Sequence, residues 1–276
     1  MLNKYPKISI VTATYNAIDT IENTILSVIN QDYPNIEYII IDGGSTDGTV
    51  DIIKKYQNKI AYWISEPDKG LYDAMNKGIK KATGMWVTMR NSGDPFAEKD
   101  SLSKLFYDPV DDDVDFVCGA AYRITDLGYY IAKSKLIDIK KPKMSIIHPA
   151  TFVRTSWHKE RLFDTKYTIC ADFNLVYKST KEGKKIEIRN IPIVIFPQGG
   201  VSSLHWDKGF RQGRKVIGKD SFIDNIITEF IIIKRKFFRF IRLCLRKIDF
   251  FYKIREKKLV TKLSIMPLPL PVNKFY

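Results

Sequence analysis

The chain opens with four short runs of β-forming residues, each followed by a stretch whose apolar positions recur at helical spacing. Residues 8–14, Ile-Ser-Ile-Val-Thr-Ala-Thr, predict a first strand, ended by Tyr15-Asn16. Asp19 or Thr20 can cap the helix that follows, in which Ile21, Ile25, Val28 and Ile29 share one face. Pro34 breaks away from it, and residues 36–42 predict a second strand that runs onto Asp42-Gly43-Gly44. A short helix over 49–56, a strand over 60–65, a helix over 71–82 and a strand over 85–90 complete the series, which stops at Asn91-Ser92-Gly93-Asp94-Pro95. Such alternation predicts a parallel sheet with helices on both faces.

The periodicity changes after Asp94. Residues 114–123 and 129–137 predict strands joined by a turn at Asp126-Leu127-Gly128, an antiparallel pattern. Residues 169–180 predict a helix with Ala171, Leu175 and Val176 turned inward. Residues 185–196 predict a strand that Pro192 confines to an edge or bends. A glycine-rich loop over 199–203 leads to His205-Trp206. From about Phe230 cations alternate with aromatic and aliphatic residues, and Arg235, Arg239, Arg242 and Arg246 fall on one helical face. A basic amphipathic helix of this kind lies in a membrane interface or a partner's groove. The plainer alternative is a helix that packs its phenylalanines on the rest of the protein and solvates its arginines. The tail Met266-Pro267-Leu268-Pro269-Leu270-Pro271 reads as extended.

Composition changes this picture in one respect. With 276 residues and 45% hydrophobic content the chain can bury an ordinary globular core. The net charge of +14 is not ordinary and points to an anionic partner: nucleic acid, an acidic membrane face or a phosphorylated ligand. Cys118, Cys170 and Cys244 form neither a metal-binding spacing nor a disulfide framework, which fits a reducing compartment. The polar lead over residues 1–7 lacks the apolar core of a signal peptide, and no run approaches the roughly 20 apolar residues of a spanning helix. A soluble or surface-bound protein is expected.

In an open α/β sheet, ligands bind outside the carboxyl ends of the strands. Four such ends would bring together Thr12 to Asn16, Asp42, Asp68 with Lys69, and Asn91 to Asp94. Carboxylates, a lysine and helix N-termini suit a ligand with hydroxyls, a base edge and a diphosphate. For Asp42-Gly43-Gly44 alone, a strand-to-helix turn is an equally good reading. Neither Gly-x-Gly-x-x-Gly nor a Walker lysine loop follows the first strand, so dinucleotide redox chemistry and ATP hydrolysis have no support.

Residues 7–16, 39–49, 66–78 (Glu-Pro-Asp-Lys-Gly-Leu-Tyr-Asp-Ala-Met-Asn-Lys-Gly) and 91–94 together resemble a family 2 glycosyltransferase of the GT-A fold. The likeness is to bacterial exopolysaccharide and capsule enzymes, including the colanic-acid type, over roughly residues 7–205. The resemblance implies an α/β fold: a Rossmann-like, mostly parallel sheet with helices on both faces and a mixed acceptor-side half. It divides the chain into a catalytic domain, 1–225, with a nucleotide-sugar half (1–97) and an acceptor half (98–225), and a basic tail over 226–276. It implies that Thr12, Tyr15 and Asn16 line the nucleoside pocket, that Asp42 contacts the base, and that Asp68 and Lys69 close over base and diphosphate. Asn91 to Asp94 takes the place of the family's Asp-x-Asp motif. Here Asn91 and Gly93 replace carboxylates, so Asp94 alone remains to hold Mg²⁺ or Mn²⁺ with help from the ligand's phosphates.

The family's catalytic base is implied at Asp172, whose bland alternative is a helix N-cap. His205 would touch metal or diphosphate, or else be a surface loop residue. His148 and Trp206 would face the sugars, or else serve the core. The expected activity is an inverting transfer from a nucleotide sugar, a UDP-sugar foremost, to a sugar acceptor carried on a polyprenyl diphosphate. The tail would hold the enzyme on the cytoplasmic face of an anionic membrane, and no nucleic-acid partner is expected. Two other readings are a basic nucleic-acid-binding protein, argued by charge alone, and a sugar nucleotidyltransferase, whose glycine-rich entry loop is missing.

Overall fold

The computed structural model describes residues 5–125, 127–196, 200–245 and 264–266. The predicted alternation is present: β1 (Ile8–Thr14), α1 (Ile18–Ile29), β2 (Ile36–Asp42), α2 (Thr49–Lys55), β3 (Tyr62–Ser65), α3 (Leu71–Lys81) and β4 (Trp86–Met89). These four strands pair in parallel. Every residue of β1 is buried, as expected of a parallel strand covered on both faces. Ile8, Ile10 and Ile40 meet Ile21, Ile25 and Val28 of α1 in one core, while Val11, Ile39 and Ile41 meet Met75 and Ile79 of α3 in another. Gly78 permits the closest of these approaches, because a Cβ there would stand 2.2 Å from Val11 Cγ1.

Register decides what the strand ends present. Thr14 pairs with Asp42, and Asp42 with Ser65, so three strands finish level. The amide of Arg90, just past β4, donates to the carbonyl of Val11 at 2.8 Å.

The second half extends the same sheet. After α4 (Ser101–Leu105) come β5 (Val114–Thr125), β6 (Gly128–Lys133), β7 (Thr151–Arg154), α5 (Thr155–Glu160), α6 (Ala171–Lys181) and β8 (Lys185–Phe196). The sheet runs β3-β2-β1-β4-β7-β5-β6, with β8 along the free side of β5. β7 is antiparallel to β4 and to β5, and β6 is antiparallel to β5. Of the edge or bend expected at Pro192 the irregularity is what forms: the β5–β8 register shifts around Ala120↔Pro192, and residues 95–97 pair with β8 on its other side through Phe96↔Val194. β6 is shorter than expected, and a backbone pair between Tyr129 and Met266 brings residues 264–266 beside it.

Beyond β8 lie α7 (Val201–Leu204), α8 (Trp206–Val216) and α9 (Phe222–Leu245). α9 starts earlier than the expected basic helix, and side chains past Ile241, including Arg242 and Arg246, lie outside the described residues with most of the tail. Its polar side faces α8 through Arg211–Glu229, Arg214–Asp224 and Lys236–Asp207 pairs, and Arg235 sits 4.3 Å over the Phe210 ring. Phe222, Ile223, Ile226, Phe230, Ile233 and Phe237 are all exposed. They recur at three- and four-residue steps, so they form one apolar stripe. Among the described residues, Phe230, Phe237 and Phe240 do not pack inward as the plainer alternative required.

Candidate functional site

The carboxyl ends of β1 to β4 open on a cleft of about 520 Å³, within the range of small-ligand sites. One wall comes from the first half, through Thr14, Tyr15, Asp68, Asn91, Ser92 and Asp94. The facing wall comes from the second half, through His148, Thr168, Ile169, Asp172 and Phe196.

The glycine turn after β2 shapes the rim. Asp42 is fully buried, and its carboxylate accepts from the amides of Gly44 (3.1 Å) and Ser45 (2.9 Å) and from the hydroxyls of Ser45 and Ser65. With four donors already on it, Asp42 holds the turn rather than presenting itself to the cleft. These bonds are those of the strand-to-helix turn that the sequence offered as the alternative to base contact. Asp42→Ala should then cost about 2–3 kcal/mol through orphaned donors. The melting temperature should fall by roughly 5–10 °C in a thermal melt. An unchanged melt with weakened nucleotide binding would return Asp42 to ligand recognition. Asp68 packs against the same turn: a Cβ at Gly43 would lie 2.5 Å from its Oδ2.

Asn16, at φ 43°, ties the β1 end to the turn by accepting from the Thr46 amide (3.0 Å) and donating its own amide to Ser45 Oγ (2.7 Å). The start of α1 is capped from this turn as well, by Thr49 Oγ1 on the Ala17 amide and Asp47 Oδ2 on the Ile18 amide. Asp19 and Thr20 are inside the helix instead. Tyr15 remains 64% exposed at the cleft mouth.

The Asn91–Asp94 loop carries the charge. Asp94 is half-buried, and burial pushes its carboxyl up to about 7, against the pull of Arg90 and Arg123. Arg90 is fully buried, stacked 3.9 Å over the Phe96 ring and donating to the Pro149 carbonyl. Its Nε and Nη2 have no hydrogen-bond partner. Burial lowers its pKa, yet a guanidinium remains charged at neutral pH. The Oδ1 of Asn91 is likewise buried without a partner. That orphaned oxygen and the Asp94 carboxylate, from two residues of the cleft lining, suit a hard divalent cation by their oxygen chemistry. Among the described residues no three His, Cys, Asp or Glu side chains gather to hold a metal unaided, so phosphate oxygens would have to complete the set.

Asp172 stands in the first turn of α6, two residues past the N-cap at Cys170, and does not cap it. Its Oδ1 accepts from the Phe173 amide (2.8 Å) and the Tyr72 hydroxyl (3.1 Å). Burial, then the Asp172 carboxylate, raise the Tyr72 phenol well above its ordinary value, so it stays protonated and donates. Burial also lowers the His148 pKa, opposed by Asp172, so the imidazole is neutral at neutral pH.

The cleft thus gathers Tyr15, Asp68, Asn91, Asp94, His148 and Asp172. Thr12 is displaced from its expected place: it is fully buried inside the sheet, donates to the Arg90 carbonyl (2.7 Å) and lies 3.1 Å from the Tyr38 hydroxyl. Thr14, at the strand end, lines the cleft in its stead. Gly93 donates its amide to Thr24 Oγ1 away from the cleft, and Lys69 is exposed at the rim. His205 is exposed at the N-cap of α8 and Trp206 half-buried in its first turn, both outside the cleft lining. Thr14 and Ser92 fall within the strand-end stretches that the sequence brought to the crevice, though no role was given to either. Sequence reasoning missed Tyr72, Arg90 and Phe196, for which no signal stood out.

The family model described as glycosyl transferase family 2 matches residues 9–177, more than half of the chain. An uncharacterized glycosyltransferase of Mycobacterium tuberculosis is 41% identical over 100 residues, 36% of this chain and 38% of that protein. A Bacillus subtilis protein named as a candidate teichuronic acid biosynthesis glycosyltransferase, TuaG, is 40% identical over 107 residues, 38% of this chain and 42% of that one. The matches thus span about two-fifths of these relatives' length. Among solved structures, S. aureus TarS 1-349 in complex with UDP superposes with a TM-score of 0.61 at 20% identity, over 76% of this chain and 64% of that one. A mannosyltransferase from Pyrobaculum calidifontis in complex with GDP-Man and Mn²⁺ does so at 0.60 and 18%, with the same coverage. At these identities the structural likeness is one of fold.

Proposed function

The chain belongs to glycosyl transferase family 2, and on that premise we propose that it moves a sugar, with inversion, from a nucleoside-diphosphate sugar to a sugar hydroxyl. The observation that carries this reading is one cleft with Asp94 on the strand-end wall and Asp172 on the facing wall. In this reading Tyr15 and Asp68 receive the nucleoside, for which uridine is the first candidate. Asn91 Oδ1 and Asp94 would hold a Mg²⁺ or Mn²⁺ ion, which supplies positive charge to the diphosphate. Asp172 takes the proton from the acceptor hydroxyl as its oxygen bonds to the anomeric carbon. The bond from that carbon to the diphosphate oxygen breaks, and the electron pair leaves with the nucleoside diphosphate. A panel of nucleotide sugars, assayed for nucleoside-diphosphate release with and without acceptor saccharides, tests the reading. Release from one donor class is expected, and inertness toward every donor contradicts it.

We further propose a lipid-linked acceptor met at an anionic membrane surface, as in bacterial surface-polysaccharide assembly. Among the described residues no helix is long and apolar enough to cross a membrane. Residues 226–276 nevertheless carry 13 of the Lys and Arg residues against 3 Asp and Glu, ten of the fourteen net positive charges. Basic residues near an anionic leaflet contribute about 1 kcal/mol each. The exposed stripe of α9 supplies the apolar face that such binding needs. Phe230→Ser, Ile233→Ser and Phe237→Ser together should reduce co-sedimentation with anionic vesicles at least about tenfold. Donor hydrolysis in solution should be unaffected, because these side chains face solvent. Equal vesicle binding by the triple variant would contradict the proposal. The concentration of charge at this end leaves the alternative of a nucleic-acid partner without a groove-reading element in the α/β half.

A further inference from the structure

The helix that follows the Asp68-Lys69-Gly70 loop touches the segment bearing Asp172 at two points one turn apart. The single Tyr72 O–H is shared between the Ile169 carbonyl (3.0 Å) and Asp172 Oδ1 (3.1 Å). Asn76 closes a two-way pair with the Phe163 backbone, amide to carbonyl and amide oxygen to N–H, each 2.9 Å. The Tyr72 and Phe163 rings lie 5.2 Å apart. Residues 72 and 76 share a face of α3 because they are four positions apart. The same helix is seated on β1 at Gly78, and its first turn accepts the Lys69 amide through Asp73 Oδ2 (3.0 Å). Asp68 Oδ1 accepts the Gly70 amide at 2.7 Å. One rigid element therefore carries the donor-side loop at its start and grips the base-bearing segment along its side.

We infer that Tyr72 is a positioning residue for the transfer, aiming the Asp172 carboxylate from the donor half of the protein. The inference rests on the reading of Asp172 as the base. Both contacts to Asp172 fall on Oδ1, which leaves Oδ2 to take the acceptor proton. Misplacing a reacting group by about 1 Å can cost on the order of 10²-fold in rate. Losing one of two restraints should therefore show in turnover and spare donor binding.

The test measures kcat and donor KM for Tyr72→Phe and Asp172→Asn in the full chain, with a thermal shift by nucleoside diphosphate as the check on folding. Tyr72→Phe is expected to lower kcat by about 10–100-fold with donor KM within about threefold of wild type. Fluorotyrosines at position 72 keep the hydroxyl and grade its acidity, so kcat should change steadily along that series. The series also decides the matter if Tyr72→Phe does not fold. Wild-type kcat in Tyr72→Phe, a flat fluorotyrosine series, or a loss in kcat matched by a rise in donor KM would each overturn the positioning role. An active Asp172→Asn would instead remove the base assignment, a different failure from a silent Tyr72.

Discussion

Asp172→Asn should lower sugar transfer by about 10²–10⁴-fold, the usual worth of a general base, while nucleoside-diphosphate binding stays within a few-fold of wild type. Asparagine has the same shape and keeps an oxygen for the Phe173 amide and the Tyr72 hydroxyl, so the local structure survives. It cannot take up a proton. The carboxylate also sits in the first turn of α6, where helix-end charge favours it by about 0.3–1 kcal/mol. That amount is too small to unfold the protein and too small to explain a thousandfold loss. Stopped assays of product formation beside calorimetric titration of the nucleotide separate the two quantities. Turnover close to wild type would take Asp172 out of the chemistry.

Asp94→Asn is the second large effect: transfer should fall by roughly 10²–10³-fold, and stimulation by Mn²⁺ or Mg²⁺ should disappear. The loop offers only Asp94 and the neutral Asn91 oxygen to a cation, so there is no second carboxylate to compensate. The unliganded protein gives an independent check through pH. Burial raises the Asp94 carboxyl from its ordinary 3.8 to about 7. Between those values the folded state holds a proton that the unfolded chain has released, so stability falls as pH rises through this window. Asp94→Asn should remove that component of the slope in urea titrations at several pH values. A variant with full activity and an unchanged slope would contradict the assignment.

Much of the fold was legible because local and tertiary signals agree. β1, β2 and β8 fall where their β-forming runs lie, and Pro192 marks the place where the register of β8 against β5 shifts. β7 escaped notice because Thr151–Arg154 is four residues between a proline-containing turn and a helix, too short for a period to show. The cap of α1 was misassigned because it is borrowed: Asp47 and Thr49 reach it from a turn about thirty residues away.

The site divides along the same line. Tyr15, Asp68, Asn91, Asp94 and Asp172 stand at strand ends or a helix start, and those places converge by topology alone. Thr12 and Asp42 lie off the cleft lining, each for its own reason. Thr12 is two positions short of the end of β1, level with Ile40, where neighbours cover it. Asp42 is at the end of its strand, but Gly43, Gly44 and Ser45 fold their donors back onto it. Tyr72 and Arg90 owe their surroundings to contacts with residues 149 to 172, which no spacing within their own elements reveals.

The central claim is that one cleft binds a nucleoside diphosphate through a cation at Asp94 and acts on its sugar through Asp172. The most direct measurement is a thermal-shift titration of the full chain with uridine, guanosine and thymidine diphosphates, with and without Mn²⁺. Ligands that bind only the folded state raise its stability in proportion to their affinity. Selective stabilisation by one of these nucleotides, dependent on the ion, lost in Asp94→Asn and kept in Asp172→Asn, is the expected result. No stabilisation by any of them, or stabilisation indifferent to both Mn²⁺ and Asp94, would contradict it.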